Sequence, residues 1–164
     1  MPQVLYALIP IGISCAAFAF SVFTWRERKV KDQRDLFLRV HERLVDVDLQ
    51  RGRRIIYQDV NSVQDVQHLM RERPGDYDTA NRALAVLDIA ALYVERGYLD
   101  EQLFMQEWGL EYANILKHAQ YFIDERASQA VASADKTWPH LQFLGARATR
   151  HLAGHDSLGQ ETGD

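Results

Sequence analysis

Four polar side chains on one predicted helix have the best spacing for chemistry in this 164-residue chain. Glu107, Glu111, Asn114 and His118 follow one another at intervals of four, three and four residues, which places them on one side of an α-helix. Two carboxylates and an imidazole arranged in this way are suitable ligands for a metal ion. The opposite side of this helix is apolar, and an amphipathic helix carries polar residues on its outer face in any case. We therefore predict a solvated face, with a metal site as the alternative.

Two other pairs have the spacing of metal ligands. Asp65 and His68 are three residues apart, as in di-iron bundles, but those bundles need two Glu-x-x-His copies and further glutamates from two other helices. The sequence contains no second copy. His151 and His155 are four residues apart near the end of the last predicted helix. Neither pair predicts a metal site.

Asp88 lies in the apolar sequence LAVLDIAAL, where a carboxylate needs solvent or a partner. Its helical angle aligns it with Asn81 and Glu95, which predicts an exposed polar stripe. The alternative is an ion pair with Arg53 or Arg54 inside the protein. Both roles are structural.

The sequence contains no Gly-rich phosphate loop, nucleophile elbow or Cys/His zinc spacing. Its one cysteine, Cys15, excludes a disulfide within the chain. We therefore predict no catalytic, cofactor-binding or metal-ligating residue, no cofactor and no enzymatic activity.

Charge is distributed unevenly along the chain. There is no charged residue between Met1 and Trp25, whereas residues 26–54 contain 10 Lys and Arg against 6 Asp and Glu. Residues 55–164 contain 9 Lys and Arg against 17 Asp and Glu. Since nucleic-acid binding depends on clustered Lys and Arg, this acidic body argues against a nucleic-acid partner.

The segment from Val4 to Trp25 contains 22 residues without Asp, Glu, Lys, Arg or His. A helix of that length is about 33 Å long and matches a bilayer core of about 30 Å. A cleavable signal would have a basic start and a shorter apolar run, and a buried helix of a soluble protein would keep a polar stripe. The segment therefore predicts a transmembrane helix with the lipid bilayer as its partner.

Five cations follow directly after Trp25, and none precedes it: Arg26, Arg28, Lys29, Lys31 and Arg34. Because cations stay on the cytoplasmic side of a spanning helix, we expect the amino terminus outside and the rest of the chain in the cytoplasm. The predicted domains are an anchor over 1–25, a helical bundle over 26–152 and a disordered tail over 153–164.

The bundle is expected to be all-α, with four to five helices, because no segment shows sustained period-two alternation. The membrane helix should continue to about Gly52, and a second helix or a pair of short helices should cover Arg53 to Arg71. Asp78 should cap a third helix that Gly97 ends, and Asp100 a fourth that extends to about Arg126. A last helix should begin at residues 137–139. The predicted core positions, taken from the apolar spacing, are Val30, Phe37, Val40, Leu44, Val47, Ile55, Ile56, Val60, Val63, Val66, Leu69, Ala80, Ala83, Leu84, Leu87, Ala90, Ala91, Val94, Phe104, Trp108, Tyr112, Ile115, Ala119, Phe122, Leu141, Leu144 and Leu152.

Three stretches resemble an uncharacterised bacterial family, a domain of unknown function: GRRIIY at 52–57, DIAALYVERGYLDEQLF at 88–104 and the WP pair at 138–139. The resemblance implies a short protein with an amino-terminal membrane helix and a cytoplasmic helical domain. It implies no catalytic residues.

We therefore expect a single-pass protein of the bacterial inner membrane that acts as a protein-interaction or scaffold module, through a protein partner or as a homo-oligomer. Two alternatives stay open. One is a tethered metal-binding or enzymatic bundle that uses the Glu107, Glu111 and His118 stripe. The other is a membrane effector whose helices associate through the small-residue pairs Gly12–Ala16 and Ala17–Ser21.

Overall fold

The computed structural model describes the backbone of residues 2–129 and 137–159, and the side chains of residues 18, 20–28, 31–129 and 137–153. These residues form six α-helices and no strand, which confirms the all-α prediction. The helices are α1 (Pro2–Leu44), α2 (Val47–Asp59), α3 (Val63–Glu72), α4 (Pro74–Glu95), α5 (Glu101–Ser128) and α6 (Pro139–Gly159). The chain divides into two compact units, residues 1–36 and residues 37–164.

The amino-terminal unit is the first part of α1. Large apolar side chains in this unit are exposed, among them Phe18, Phe20, Phe23 and Trp25. No helix within the described residues combines the length and the apolar character needed to cross a membrane. Most of the predicted span, residues 4–17, lies outside the residues whose side chains the structure describes.

The second unit contains the end of α1 and the five helices α2 to α6. α1 does not continue to Gly52 as predicted, because it ends at Leu44 and a new helix begins at Val47. The Asp46 side chain accepts a hydrogen bond from the Asp48 backbone N–H at 3.0 Å, and a carboxylate in this N-cap position starts a helix. Val47, predicted to be in the core, is therefore exposed in the first turn of α2.

α4 packs against α2, α3, α5 and α6 and forms the centre of this unit. Its predicted apolar face is buried in full, which confirms Ala80, Ala83, Leu84, Leu87, Ala90, Ala91 and Val94 as core residues. Its start was predicted wrongly, because α4 begins at Pro74 rather than after Asp78. Proline suits the first position of a helix, where its missing N–H leaves no bond unmade.

Gly52 lies inside α2, where it lets α2 and α4 approach closely. A Cβ atom at this position would lie 2.7 Å from both Ala83 Cβ and the Thr79 carbonyl oxygen. The glycine predicted to end a helix is therefore a packing position between two helices.

α5 has the ends and the buried face that the sequence predicts. Asp100 accepts a hydrogen bond from the Leu103 N–H at 2.8 Å, and Gly97, which follows α4, has a φ of +69° that favours glycine. The predicted stripe on α5 is buried throughout: Phe104, Trp108, Tyr112, Ile115, Ala119 and Phe122.

α6 packs on α4 and α5 through Leu141, Leu144 and Ala148. It begins at Pro139, within the predicted start, and extends to Gly159. The first part of the predicted tail is thus helical, and residues 160–164 lie outside the described residues.

Candidate functional site

The residues of the predicted polar stripe on α5 differ in their surroundings, and Asn114 among them is half-buried. Glu107 is exposed, whereas Glu111 pairs with Arg53 of α2, with 3.4 Å between Glu111 Oε1 and Arg53 Nε. His118 donates from Nδ1 to the Val60 carbonyl oxygen at 2.7 Å. The described residues contain no group of three His, Cys, Asp or Glu side chains that could hold a metal ion.

Asp65 and His68 do not form a site either. Asp65 accepts hydrogen bonds from the Asn61 N–H and the Ser62 hydroxyl, both at 2.9 Å, and Ser62 in turn accepts from the Asp65 N–H. This is a capping box at the start of α3, and its hydrogen bonds lower the pKa of Asp65. His68 is exposed. His151 is also exposed, and the side chain of His155 lies outside the described residues.

Asp88 has neither of the roles that the sequence suggested. Its Oδ1 accepts hydrogen bonds from the backbone N–H groups of His140 and Leu141, both at 2.9 Å. The residues aligned with it also bind neighbouring helices, since Asn81 accepts from Arg126 and Glu95 pairs with His140. This side of α4 therefore contacts α5 and α6, and only Glu95 at its end is exposed as predicted.

A cluster of polar and aromatic side chains lies between α2 and α5. We call it the α2–α5 cleft and define it by Arg53 and Tyr57 of α2 and Trp108 and Glu111 of α5. The Arg53 side chain is only 14% exposed, and its guanidinium carbon lies 5.4 Å from the centre of the Trp108 ring. Such a cation–π contact holds a guanidinium in a fixed orientation.

An open cavity of about 340 Å³ lies over this cluster. Polar side chains line it: Gln50, Arg53, Arg54, Tyr57, Gln58 and Glu111. Two arginines and one glutamate leave this lining with a formal charge of +1. The cleft therefore favours a ligand with one negative charge.

The hydroxyl of Tyr57 is buried, and its contact with Glu111 falls short of regular hydrogen-bond geometry in the described part of the chain. Burial, followed by the negative charge of Glu111 and by hydrogen bonding to that carboxylate, raises its pKa well above the ordinary value, and Arg53 opposes this effect. Tyr57 therefore stays protonated at neutral pH and can donate a hydrogen bond.

Two further buried nitrogens beside the cleft, Trp108 Nε1 and His41 Nδ1, have no hydrogen-bond partner among the described residues. The His41 ring contacts the Trp108 ring edge to face, with 5.5 Å between their centres. Buried polar atoms in native proteins are nearly always hydrogen-bonded, so a group of unmet ones marks a place for water or a ligand.

A larger open cavity, of about 900 Å³, lies between α5 and α6. Arg147, one of its lining residues, is already paired with Glu101 at 2.9 Å, and both side chains are well exposed. Exposed ion pairs of this kind contribute little to the free energy of unfolding. We therefore regard the α2–α5 cleft as the better candidate site.

The sequence did not point to this cleft. The sequence pattern indicates Arg53 only as a possible partner for Asp88, and Trp108 only as a core residue. The spacing of Arg53 and Tyr57, four residues apart beside the buried Ile55 and Ile56, does indicate that their side chains lie close together on α2. It does not indicate that Trp108 and Glu111 of α5 face them.

Comparisons with protein-family models, curated proteins and solved structures give no match to this chain. The resemblance to the uncharacterised bacterial family therefore stays a prediction.

Proposed function

We propose that this protein is a single-pass, membrane-anchored interaction module that holds a helical bundle at the cytoplasmic face of a bacterial inner membrane. It acts by binding a protein partner or a second copy of itself, and it catalyses no reaction. The observation that carries this proposal is the exposure of large apolar side chains on opposite sides of α1 up to Trp25.

These side chains do not form a single stripe. Phe18, Phe20, Phe23 and Trp25 are each at least 60% exposed. At about 100° per residue, the last three lie roughly 200°, 140° and 340° around the helix from Phe18. Exposed apolar side chains on opposite sides of a helix favour lipid over water.

The cations that follow Trp25 support the orientation. Arg26, Arg28, Lys31 and Arg34 are all exposed, and no Lys or Arg precedes them in the chain. On the cytoplasmic side they would lie near anionic headgroups, an attraction of about 1 kcal/mol for each cation at the surface.

Exposed apolar residues on the bundle support a protein partner. Leu103 and Leu110 of α5 are seven residues apart, and Leu110 is 63% exposed. This spacing places both on one face of the helix, and paired exposed leucines on one face are typical of helix-mediated recognition.

Cysteine accessibility in intact bacteria tests the topology. In a Cys15→Ser background, the variants Gln3→Cys and Tyr98→Cys are treated with a membrane-impermeant maleimide. The proposal predicts labelling at position 3 in intact cells and at position 98 only after permeabilisation, because Tyr98 is exposed on the folded bundle.

Two results would overturn the proposed topology. Labelling of Tyr98→Cys in intact cells would place the bundle outside. Protection of both positions until permeabilisation would show that the chain does not cross the membrane.

A further inference from the structure

Arg53 in the α2–α5 cleft has donors that the protein does not use. A guanidinium has five N–H donors, and the ionic partner of this one is Glu111, 3.4 Å from Nε. Nη1 and Nη2 have no acceptor among the described residues. Strong charge-assisted hydrogen bonds are about 2.7 to 2.9 Å long. The longer contact with Glu111 therefore uses only a small part of the hydrogen-bonding capacity of Arg53.

Tyr57 adds a second donor to the same cavity. Its hydroxyl is buried, with only an irregular contact to Glu111 among the described residues, and it lines the cavity with Arg53 and Glu111. A buried donor whose hydrogen bond is poorly formed destabilises the folded state unless water or a ligand completes it. The two residues are one helical turn apart on α2, so their donors face the same space.

We propose that the α2–α5 cleft is a binding site for one carboxylate group, held by the terminal nitrogens of Arg53 and the hydroxyl of Tyr57. A carboxylate matches the planar edge of a guanidinium with two parallel hydrogen bonds. It also has the single negative charge that balances the lining of the cavity.

Glu111 decides against a more highly charged anion. Glu111 lines the same cavity, and each further negative charge on the ligand would be repelled by its carboxylate. A phosphate dianion therefore fits less well than a carboxylate. The carboxylate can come from a small free acid or from an acidic side chain on a protein.

NMR titration of the full-length chain in lipid nanodiscs tests this site. The protein contains three tryptophans, and the indole N–H signal of Trp108 reports on Arg53, which stacks on its ring. Sodium acetate should shift this signal in a saturable way, while sodium chloride at equal ionic strength should not. The signals of Trp25 and Trp138 serve as internal references.

Variants define the roles of the residues. Arg53→Gln should weaken acetate binding by about tenfold or more, which is the loss expected when a charged hydrogen bond is removed. Tyr57→Phe should weaken it severalfold, and Glu111→Gln should strengthen it because the competing charge is gone. Arg82→Gln, which removes an exposed arginine from α4, is the matched control and should bind as the wild type does.

The results separate the proposal from its rivals. Absence of a saturable Trp108 shift, equal binding by Arg53→Gln, or tighter binding of inorganic phosphate than of acetate would each overturn it. If Arg53→Gln does not fold, the other two variants still test the proposal, because Tyr57→Phe should weaken acetate binding and Glu111→Gln should strengthen it. Weaker binding by Glu111→Gln would contradict the proposal.

A final experiment identifies the source of the carboxylate. Two short peptides with blocked ends are compared, one with a central glutamate and one with glutamine at that place. Binding of the glutamate peptide at least about tenfold tighter than acetate, with loss of binding by the glutamine peptide, supports a protein carboxylate. Equal affinity of acetate and the glutamate peptide supports a free acid, and equal binding of both peptides overturns carboxylate recognition.

Discussion

The carboxylate of Asp88 on α4 accepts a hydrogen bond from the backbone N–H of Leu141 on α6, 2.9 Å away and 53 residues further along the chain. The same oxygen accepts from the N–H of His140. The first N–H groups of a helix have no partner within the helix, so Asp88 acts as an N-cap that another helix supplies. The start of α6 is thereby fixed to α4.

Asp88→Ala should therefore lower the free energy of unfolding by about 1 to 2 kcal/mol, the usual loss of an N-cap, while Asp88→Asn should lose less because its amide oxygen still accepts. Denaturant titration in detergent micelles measures the change. Asp78→Ala, which removes an exposed carboxylate from the same helix, is the control. Equal losses from Asp88→Ala and Asp78→Ala would contradict the capping role.

Gly52→Ala should lower the free energy of unfolding by about 1 to 3 kcal/mol, the usual cost of overpacking. The added methyl group would meet Ala83 Cβ and the Thr79 oxygen, each at 2.7 Å, and α2 would have to move away from α4. Gly75→Ala is the control, because nothing lies within 4 Å of a Cβ at that position. If the two variants unfold at the same denaturant concentration, the close approach of α2 and α4 is wrong.

Stability should fall in alkali because of Tyr112. Its hydroxyl donates to the Leu87 carbonyl oxygen at 2.7 Å, and burial followed by the charge of Asp88 raises its pKa well above 10. The unfolded chain loses this proton near pH 10 while the folded chain keeps it, so the free energy of unfolding decreases as the pH rises above about 10.

Tyr112→Phe should be less stable at neutral pH by about 1 kcal/mol for the lost hydrogen bond, and its stability should decline less between about pH 9 and pH 11. Tyr98→Phe, which changes an exposed tyrosine, should keep the wild-type pH dependence. Denaturant titrations at each pH measure both. Parallel pH profiles for the wild type and Tyr112→Phe would refute the role of Tyr112.

Leu110→Ser should reduce the cross-linking of this protein to the proposed partner in native membranes. Burial of a leucine at an interface contributes about 1.5 to 3 kcal/mol, so affinity should fall by about tenfold or more, while stability should change little because Leu110 is 63% exposed. Cross-linking followed by mass spectrometry measures the yield, with Gln106→Ser on the exposed part of α5 as the control. An unchanged yield would exclude Leu110 from the interface.

Local patterns predicted the buried face of α4 and the extent of α5 well, because their signals are contained within a few turns. The spacing of Phe104, Tyr112 and Phe122 defines a buried face without reference to any other helix. Asp100 and Gly97 likewise act through their own backbone neighbours. Such features depend on short-range geometry, which the sequence contains.

Contacts between distant segments could not be predicted, because each depends on atoms that another helix supplies. Gly52 looked like the end of a helix, because the Ala83 and Thr79 atoms that explain it lie on another helix. For Asp88 the sequence indicates only its position on the face of α4, whereas the N–H groups that it caps belong to α6. The α2–α5 cleft depends in the same way on how Arg53 meets Trp108 and Glu111.

Extraction of membranes with alkaline carbonate tests the central claim most directly. The account predicts that the full-length protein stays in the membrane pellet, and that a variant with Phe18→Asp and Phe20→Asp is released, because each charge in a spanning helix costs about 2.5 to 3.5 kcal/mol. Release of the wild-type protein into the carbonate supernatant would contradict a lipid-embedded α1.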